Sequence, residues 1–367
     1  MFTKKDTNRC KGIAILMMLF HHLFNDYEEY AGYVVEYWPL TGDQTIHLGL
    51  LCKVCVTIFV FLSGYGIAAV YTAKFGKKEP DRQQLWKFTI SRYWKLMAGY
   101  WFIFILALLF SWLGRTPEQA YGTDLKTAVV YFIIDFFGLS FAFHTPTLNP
   151  TWWYMSVALY IIFLMPFIMR LVKKTGSFLV LAAGLFLLQL LEIQSVASTY
   201  VFGLLLGVFC FENEIFTRWM RLFEKKKGRF FIKSMMLFLI TVLLLKFRMN
   251  YNYYGIVDGL IAMTLCGFSM MVFSKIPLVN RGLEILGVHS ANIFLIHNLL
   301  YSYYFLGFYY SFRYPAVILA VLTVTSLLIS AAIERIKIWS RYEKVMKTAE
   351  KRICAVNFSN EAKNSEE

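Results

Sequence analysis

Long apolar runs separated by short polar segments follow one another along the whole chain. A run of about 20 apolar residues is long enough for one helix to cross a bilayer. The predicted spans are 10–25, 48–73, 96–113, 152–172, 177–192, 197–211, 230–247, 254–273, 285–307 and 314–334. The pattern therefore predicts an all-α polytopic membrane protein with about ten transmembrane helices.

The positions of Lys and Arg predict which side of the membrane each polar segment faces. The N-terminus, the loop around residues 74–95, the loop 212–229 and the tail after Glu334 are rich in these cations. Because cytoplasmic loops carry an excess of Lys and Arg, we expect these segments and both termini to be cytoplasmic.

One apolar segment, at about 125–141, does not fit a simple count of spans. It is short, contains Asp135, and would place every later basic cluster outside if it crossed the membrane. We therefore expect an extra interfacial or re-entrant helix there. The polar residues 355–367 predict a disordered cytoplasmic tail, which leaves residues 1–354 as one transmembrane domain.

Composition agrees with this class of protein and excludes others. Of the 367 residues, 58% are hydrophobic and 16% are charged, whereas about a quarter of a soluble domain is charged. The net charge of +14 lies in short loops and the tail, which indicates a cytoplasmic surface at the lipid bilayer and no nucleic-acid partner. Cys52 and Cys55 lie in an apolar helix without a second pair, so we expect packing and no metal site.

The first apolar run carries ionisable residues, which are costly inside a membrane and indicate a functional site. Lys11 and His22 are eleven residues apart, so they share one helix face about 16 Å apart along the axis. We predict that His22 is a general base and that Asp26, one turn later, orients its ring. The alternative for His22 is an interhelical hydrogen bond that only stabilises the bundle. His21 points about 100° away and is a weaker candidate.

Two further pairs could contact a ligand, and each has a structural alternative. Arg92 and Lys95 lie one turn apart at a membrane boundary. They could clamp phosphates, or they could follow the positive-inside rule and contact anionic lipid headgroups. Ser63 and Gly64 allow the close approach of a thin ligand, or simply of another helix.

Aromatic residues and a second histidine complete the set of candidates. The segment TPTLNPTWWYMS at 145–156 includes Trp152, Trp153 and Tyr154. It is typical of an aromatic belt at the membrane interface, and equally of a flat platform for sugar rings. His297 lies deep in the ninth predicted span. It could form a structural hydrogen bond to a neighbouring helix, or it could contact a substrate.

Taken together, these stretches resemble the integral-membrane acyltransferase family 3, which includes O-acetyltransferases of bacterial surface polysaccharides. The similarity covers nearly the whole chain. It includes the Lys11-to-His22 pattern, the stretch FLSGYG, the basic pair before the third span and the stretch SANIFLIH, in that order. Lys11 and Lys95 stand where the family has arginine, so the bidentate fork is lost there. The glutamate often found after the tryptophan–serine stretch is absent from WWYMSVALY.

The resemblance implies an acyltransferase of the bacterial plasma membrane that transfers an acyl group, acetyl first of all. The donor would be cytoplasmic acetyl-coenzyme A, used as a substrate with no permanently bound cofactor. The acceptor would be a hydroxyl of a cell-surface polysaccharide or of a lipid-linked glycan, and polysaccharide-synthesis proteins are expected partners. The implied donor-binding residues are Lys11, Arg92, Lys95, Ser63 and Gly64, and the implied acceptor-binding residues are Trp152, Trp153, Tyr154 and His297.

Two other classes of function remain open on the residues alone. A transporter or flippase for a polysaccharide or polyisoprenyl-linked substrate could use the same polar line as a path. Transporters often contain inverted repeats and paired broken helices, which the sequence does not show. A membrane scaffold or sensor without catalysis would leave the ionisable residues of the first span unexplained.

Overall fold

The computed structural model describes residues 2–76, 78–190, 198–222, 228–250 and 254–355. Within these ranges the chain forms α-helices and no strands, which confirms the all-α prediction. The predicted disordered tail lies, from residue 356 onward, outside the described residues. The helices are α1 (Lys4–Phe24), α2 (Gly42–Cys52), α3 (Cys55–Phe75), α4 (Arg82–Leu109), α5 (Pro117–Tyr121), α6 (Leu125–Phe136), α7 (Trp153–Thr175), α8 (Ser177–Leu190), α9 (Val201–Glu212), α10 (Ile215–Arg221), α11 (Arg229–Asn250), α12 (Tyr254–Met271), α13 (Pro277–Val288), α14 (Ser290–Asn298), α15 (Leu306–Tyr310), α16 (Pro315–Trp339) and α17 (Tyr342–Cys354).

Six helical segments of the described chain are long and apolar enough to cross a membrane. They are Gly42–Phe75, Arg82–Leu109, Pro150–Thr175, Arg229–Asn250, Gly255–Lys275 and Pro315–Trp339. Two bent pairs raise the number to eight if each pair is one span: Ser198–Glu212 with Ile215–Arg221, at 56°, and Pro277–Val288 with Ser290–Tyr304, at 69°. The structure thus supports a multi-pass protein with six to eight candidate spans.

Two predicted spans account for the difference from about ten. Helix α1 forms as predicted, but its cations and its two histidines make it too polar to count as a span on composition. The predicted span 177–192 ends in residues 191 and 192, which lie outside the described chain, and the apolar helix described there, Ser177–Leu187, is too short to count. The cytoplasmic location of both termini stays a prediction.

Helix α6 occupies most of the predicted extra helix at 125–141. It has 12 residues and is therefore about 18 Å long, whereas the hydrocarbon core of a bilayer is about 30 Å thick. It does not count among the candidate spans. Its location at the membrane interface stays a prediction.

The chain divides into two compact units. One contains the described residues of Met1–Tyr71 and Leu171–Leu327, and the other those of Thr72–Arg170 and Leu328–Glu367. In the first unit α1 packs against α2, α12, α13 and α14, and in the second unit α4 packs against α17. The first unit therefore places the helix with the candidate histidine among several neighbours.

Two glycines bring the backbones of α1 and α13 into direct contact. A Cβ atom at Gly12 would overlap the carbonyl oxygen of Leu283, and one at Gly287 would overlap the carbonyl oxygen of Asn8. Each helix thus supplies a glycine at the point where the other helix's backbone passes. Such close approach of small residues is a common mode of helix packing in membranes.

Candidate functional site

The N-terminal half of α1 contains an arginine that is held by acidic side chains. Arg9 is buried and forms an ion pair with Asp6 of its own helix. Its Nη1 atom lies 3.2 Å from Glu284 Oε1 and donates to Asn280 Oδ1 at 2.6 Å, and both residues belong to α13. Since removing one partner of a buried charge pair is strongly destabilising, Arg9 stabilises the contact between these helices.

Lys11 differs from Arg9 in having no such partner. Its side chain is half-buried, and no hydrogen bond or ion pair to its ammonium group occurs within the described chain. Arg9 and Lys11, which are two positions apart on α1, thus have different environments. Lys11 is the one whose charge is available to an anion.

Two buried tyrosines fix the C-terminal end of α1. The hydroxyl of Tyr301 donates to the carbonyl oxygen of His22 at 3.0 Å, and that of Tyr310 donates to the carbonyl oxygen of Leu23 at 2.9 Å. The last carbonyls of a helix have no partner inside the helix, so these bonds satisfy them. The turn that carries His22 is therefore held in place from outside α1.

The imidazole of His22 lies beside that of His297, with ring centroids 5.1 Å apart. His297 is completely buried, and its Nδ1 lies 2.7 Å from the carbonyl oxygen of Phe294. Because a carbonyl oxygen only accepts, Nδ1 carries the proton and Nε2 carries the lone pair. Nε2 of His297 is buried and has no partner within the described residues. The structure thus joins two candidates that are 275 positions apart in sequence into one pair of imidazoles.

His21 has a structural role. Its ring lies 5.1 Å from that of His22, but its Nδ1 lies 2.9 Å from the carbonyl oxygen of Gly49 in α2. The bond uses one ring nitrogen to join α1 to α2. This role fits the lower weight that the sequence analysis gives to His21.

The structure does not bring Asp26 to the ring of His22. Helix α1 ends at Phe24, and the chain then turns into a short 3-10 helix. The carboxylate of Asp26 is exposed and accepts a hydrogen bond from Glu28 N at 3.1 Å. The expected one-turn contact assumed that α1 continues through Asp26, and the helix ends too early for it.

Sequence reasoning missed another acidic residue near this site. The hydroxyl of Tyr301 lies 3.2 Å from Glu29 Oε2 as well as 3.0 Å from the carbonyl oxygen of His22. Tyr301 also stacks on the ring of His297, with centroids 6.3 Å apart and planes 20° apart. A signal was available for Tyr301, since it follows His297 by four residues and therefore shares its helix face. No such signal marks Glu29, which is 272 positions away from Tyr301 in the sequence.

Ser63 and Gly64 of α3 are engaged in helix structure. The hydroxyl of Ser63 donates to the carbonyl oxygen of Phe59 at 2.8 Å, within the same helix. A Cβ atom at Gly64 would overlap the carbonyl oxygen of Leu204 in α9. The packing alternative therefore accounts for Gly64 in full.

Arg92 and Lys95 both belong to α4 in the second unit. The guanidinium of Arg92 lies 4.7 Å from the ring centroid of Phe88, and its Nε is buried with no partner among the described residues. Lys95 is exposed. An orphaned guanidinium nitrogen one turn from an exposed ammonium is suited to an anion such as a phosphate.

The three aromatic candidates divide into one core residue and two partly accessible ones. Trp152 is buried, with its ring 5.1 Å from Tyr100 and 5.5 Å from Phe104 between centroids. Trp153 and Tyr154 are half-buried. Trp152 thus packs within the second unit, and only the other two could present a ring to a sugar.

A buried carboxylate, Asp135, organises the segment that leads to these aromatics. Within the described residues it accepts five hydrogen bonds, from the hydroxyls of Tyr100, Tyr121, Ser140 and Thr147 and from Leu148 N, at 2.7–3.2 Å. Burial, and next the charge of Asp135, raise the pKa of Tyr121, so its phenol stays protonated and donates. The network fixes α6 to the loop before Trp152.

Comparison with protein-family models identifies the family of this chain. The model of acyltransferase family 3, described as an acyltransferase domain, matches residues 7–335. This is most of the chain, so the protein belongs to that family. It is a multi-pass membrane acyltransferase. No curated protein and no solved structure matches it.

Proposed function

We propose that this acyltransferase moves an acetyl group from cytoplasmic acetyl-coenzyme A to a hydroxyl of a cell-surface polysaccharide or lipid-linked glycan, in a bacterial plasma membrane. The observation that carries the proposal is the pair of imidazoles formed by His22 of α1 and His297 of α14. Helix α1 also bears Lys11, which has no partner in the described chain. Acyl transfer from a phosphorylated thioester needs a positioned proton acceptor and contacts that orient the donor, and α1 bears a candidate for each in His22 and Lys11.

In the proposed reaction His22 is the general base. Its imidazole takes the proton of the acceptor hydroxyl, and the hydroxyl oxygen forms a bond to the thioester carbonyl carbon. The carbon–sulfur bond then breaks, and the proton passes from His22 to the leaving thiolate of coenzyme A. His297, whose Nδ1 is engaged by a carbonyl, supplies an Nε2 lone pair beside His22 that can accept a proton from that ring or from the acceptor.

Lys11, Arg92 and Lys95 are the proposed contacts for the donor's phosphates. Lys11 and Arg92 support this role because each has charged nitrogen without a protein partner in the described chain. Lysine binds a phosphate as a point charge, whereas arginine can donate two parallel hydrogen bonds to it. Arg92 would therefore contribute more to the orientation of the donor. Asp26 has no assigned step, since it caps a short helix.

Trp153 and Tyr154 are the proposed acceptor contacts. They are half-buried and follow the loop that Asp135 fixes. Their flat rings suit the apolar faces of a sugar, as tryptophan and tyrosine rings have an apolar face and a polar edge. The buried Trp152 supports them by packing.

The test uses the purified protein in nanodiscs with acetyl-coenzyme A labelled in the acetyl group. We expect release of free coenzyme A that depends on added glycan acceptor, with the label recovered as a base-labile ester on the glycan. Malonyl- and palmitoyl-coenzyme A serve as matched donors and report the acyl chain. Movement of labelled glycan across sealed vesicles without release of coenzyme A would contradict transfer and support a transporter.

Lys11→Gln is expected to raise the KM for the acyl donor about tenfold with little change in kcat, because it removes one charge-assisted contact to phosphate. Arg9→Gln should instead lower the melting temperature, since Arg9 is held by two carboxylates. Steady-state kinetics and thermal unfolding of both variants check the pair. A KM unchanged by Lys11→Gln would remove Lys11 from donor binding.

A further inference from the structure

The second unit contains a helix reversal that gathers cations. Helix α16 ends at Trp339 and α17 begins at Tyr342, with Arg341 between them at φ 57°. A residue other than glycine rarely adopts this left-handed backbone conformation. Such strain is retained where the surrounding structure requires it. The turn brings the last part of α16 next to the first turns of α17.

One side of α17 is fixed to α4. The indole nitrogen of Trp94 donates to the carbonyl oxygen of Met346 at 2.8 Å, and the hydroxyl of Ser91 donates to Glu350 Oε1 at 2.5 Å. Residues three or four positions apart share one face of a helix, so these bonds define the face that packs on α4. The cations at positions 344, 347 and 351 occupy another face.

These cations line a cavity of about 480 Å³, which we call the basic cavity. Its lining consists of Lys337, Ile338, Arg341, Glu343, Lys344, Lys347, Thr348 and Lys351. Lys337 pairs with Glu334 at 2.8 Å, and Lys347 pairs with Glu343 at 3.2 Å. Arg341, Lys344 and Lys351 are exposed, and none of them has an acidic partner in the described part of the chain. Three unpaired cations in one concave site indicate an anionic ligand.

The surroundings of the basic cavity indicate what kind of anion binds. Ile338 and Trp339, at the end of the candidate span α16, are 65% and 87% exposed. Tryptophan with exposed apolar neighbours at the end of a span is typical of the membrane–water interface. The lining contains no aromatic ring on which a nucleotide base could stack. The site therefore fits a phosphate that is attached to the membrane better than a free nucleotide.

We propose that the basic cavity binds the headgroup of an anionic phospholipid, with Arg341, Lys344 and Lys351 on its phosphate. Helix α17 lies beyond residues 7–335, which match the family. The site therefore adds a lipid contact to the chain that is separate from the proposed acyl transfer. Clusters of Lys and Arg next to a span attract anionic lipids in this way.

The test measures lipid retention by native mass spectrometry of the full-length protein in detergent with phosphatidylglycerol or phosphatidylcholine. We expect preferential binding of phosphatidylglycerol, weakened at least about tenfold in R341Q/K344Q/K351Q because three phosphate contacts are lost. The matched control R281Q/K126Q/K246Q removes the same charge from exposed cations elsewhere, and it should bind as the wild type does.

Competition with inorganic phosphate and with coenzyme A separates the sources of phosphate. Binding of coenzyme A that R341Q/K344Q/K351Q abolishes, with no preference for phosphatidylglycerol, would overturn the proposal. Equal lipid binding by wild type and both triple variants would do the same. Glu343→Gln provides an independent variant, because it frees Lys347 and should tighten phosphatidylglycerol binding severalfold; unchanged or weaker binding counts against the site.

Discussion

Replacement of His22 by glutamine is expected to lower acyl transfer by at least about 100-fold, the usual contribution of a positioned general base. Glutamine keeps the size and polarity of the side chain but takes up no proton near neutral pH. The backbone of this turn should stay in place, since Tyr301 and Tyr310 bind carbonyl oxygens and not the ring of His22. Turnover of labelled acetyl-coenzyme A by purified wild type and variant measures the effect.

His21→Gln is the matched control, because His21 is the sequence neighbour of His22 and its ring bonds to Gly49. It should lose about 1 kcal/mol of stability and keep most of its turnover. His297→Gln should fall between the two in rate, since it removes the free Nε2 beside His22. Wild-type turnover in His22→Gln, with the same melting temperature, would exclude His22 as the base and overturn the proposed mechanism.

Asp135→Leu is expected to destabilise the protein by at least about 3 kcal/mol, because donors that now share one buried carboxylate would lose it together. A loss of this size lowers the melting temperature by about 5 °C or more. Asp135→Asn should lie in between, since an amide keeps one acceptor oxygen. Thermal unfolding of the purified protein in detergent measures both.

Asp124→Asn is the matched control, because it removes an exposed carboxylate near the start of the same helix. Asp124 caps α6 through Thr127 N at 3.0 Å and is exposed. Asparagine caps a helix about as well as aspartate, so this variant should unfold close to the wild-type temperature. A melting temperature of Asp135→Leu equal to that of Asp124→Asn would show that the hydrogen bonds of Asp135 do not stabilise the second unit.

Local sequence predicted the apolar part of α1 well because its apolar pattern is continuous, whereas the start of the helix at Lys4, after a capping box at Thr3 and Asp6, came from the structure. The spacing of Lys11 and His22 followed from that helix. The expected contact with Asp26 was wrong because α1 ends at Phe24, with Asn25 as its C-cap, and no glycine or proline marks that end in the sequence. The position of that end depends on tertiary bonds from tyrosines far along the chain, and helical periodicity does not report them.

Other parts of the site depend on contacts between distant segments. The pairing of His22 with His297, and that of Arg9 with Glu284, joins residues more than 270 positions apart. A single sequence gives the type of residue at each position but not which segments meet. For the same reason the sequence could not decide whether Gly64 contacts a ligand or another helix. The structure decides it, because the backbone of Leu204 lies against Gly64.

The backbone contact of α1 with α13 at Gly12 and Gly287 has a consequence for the choice of donor. No side chain separates the two helices at these positions, so α1 cannot easily slide or bend there. The separation between Lys11 and His22, about 16 Å along the axis, is therefore fixed. In the proposed reaction, a donor contacts Lys11 with its anionic end and presents its reactive carbonyl to His22. Only a donor with an arm of that length between the two groups can do both at once. Short acyl phosphates would be rejected by length alone, before any chemistry begins.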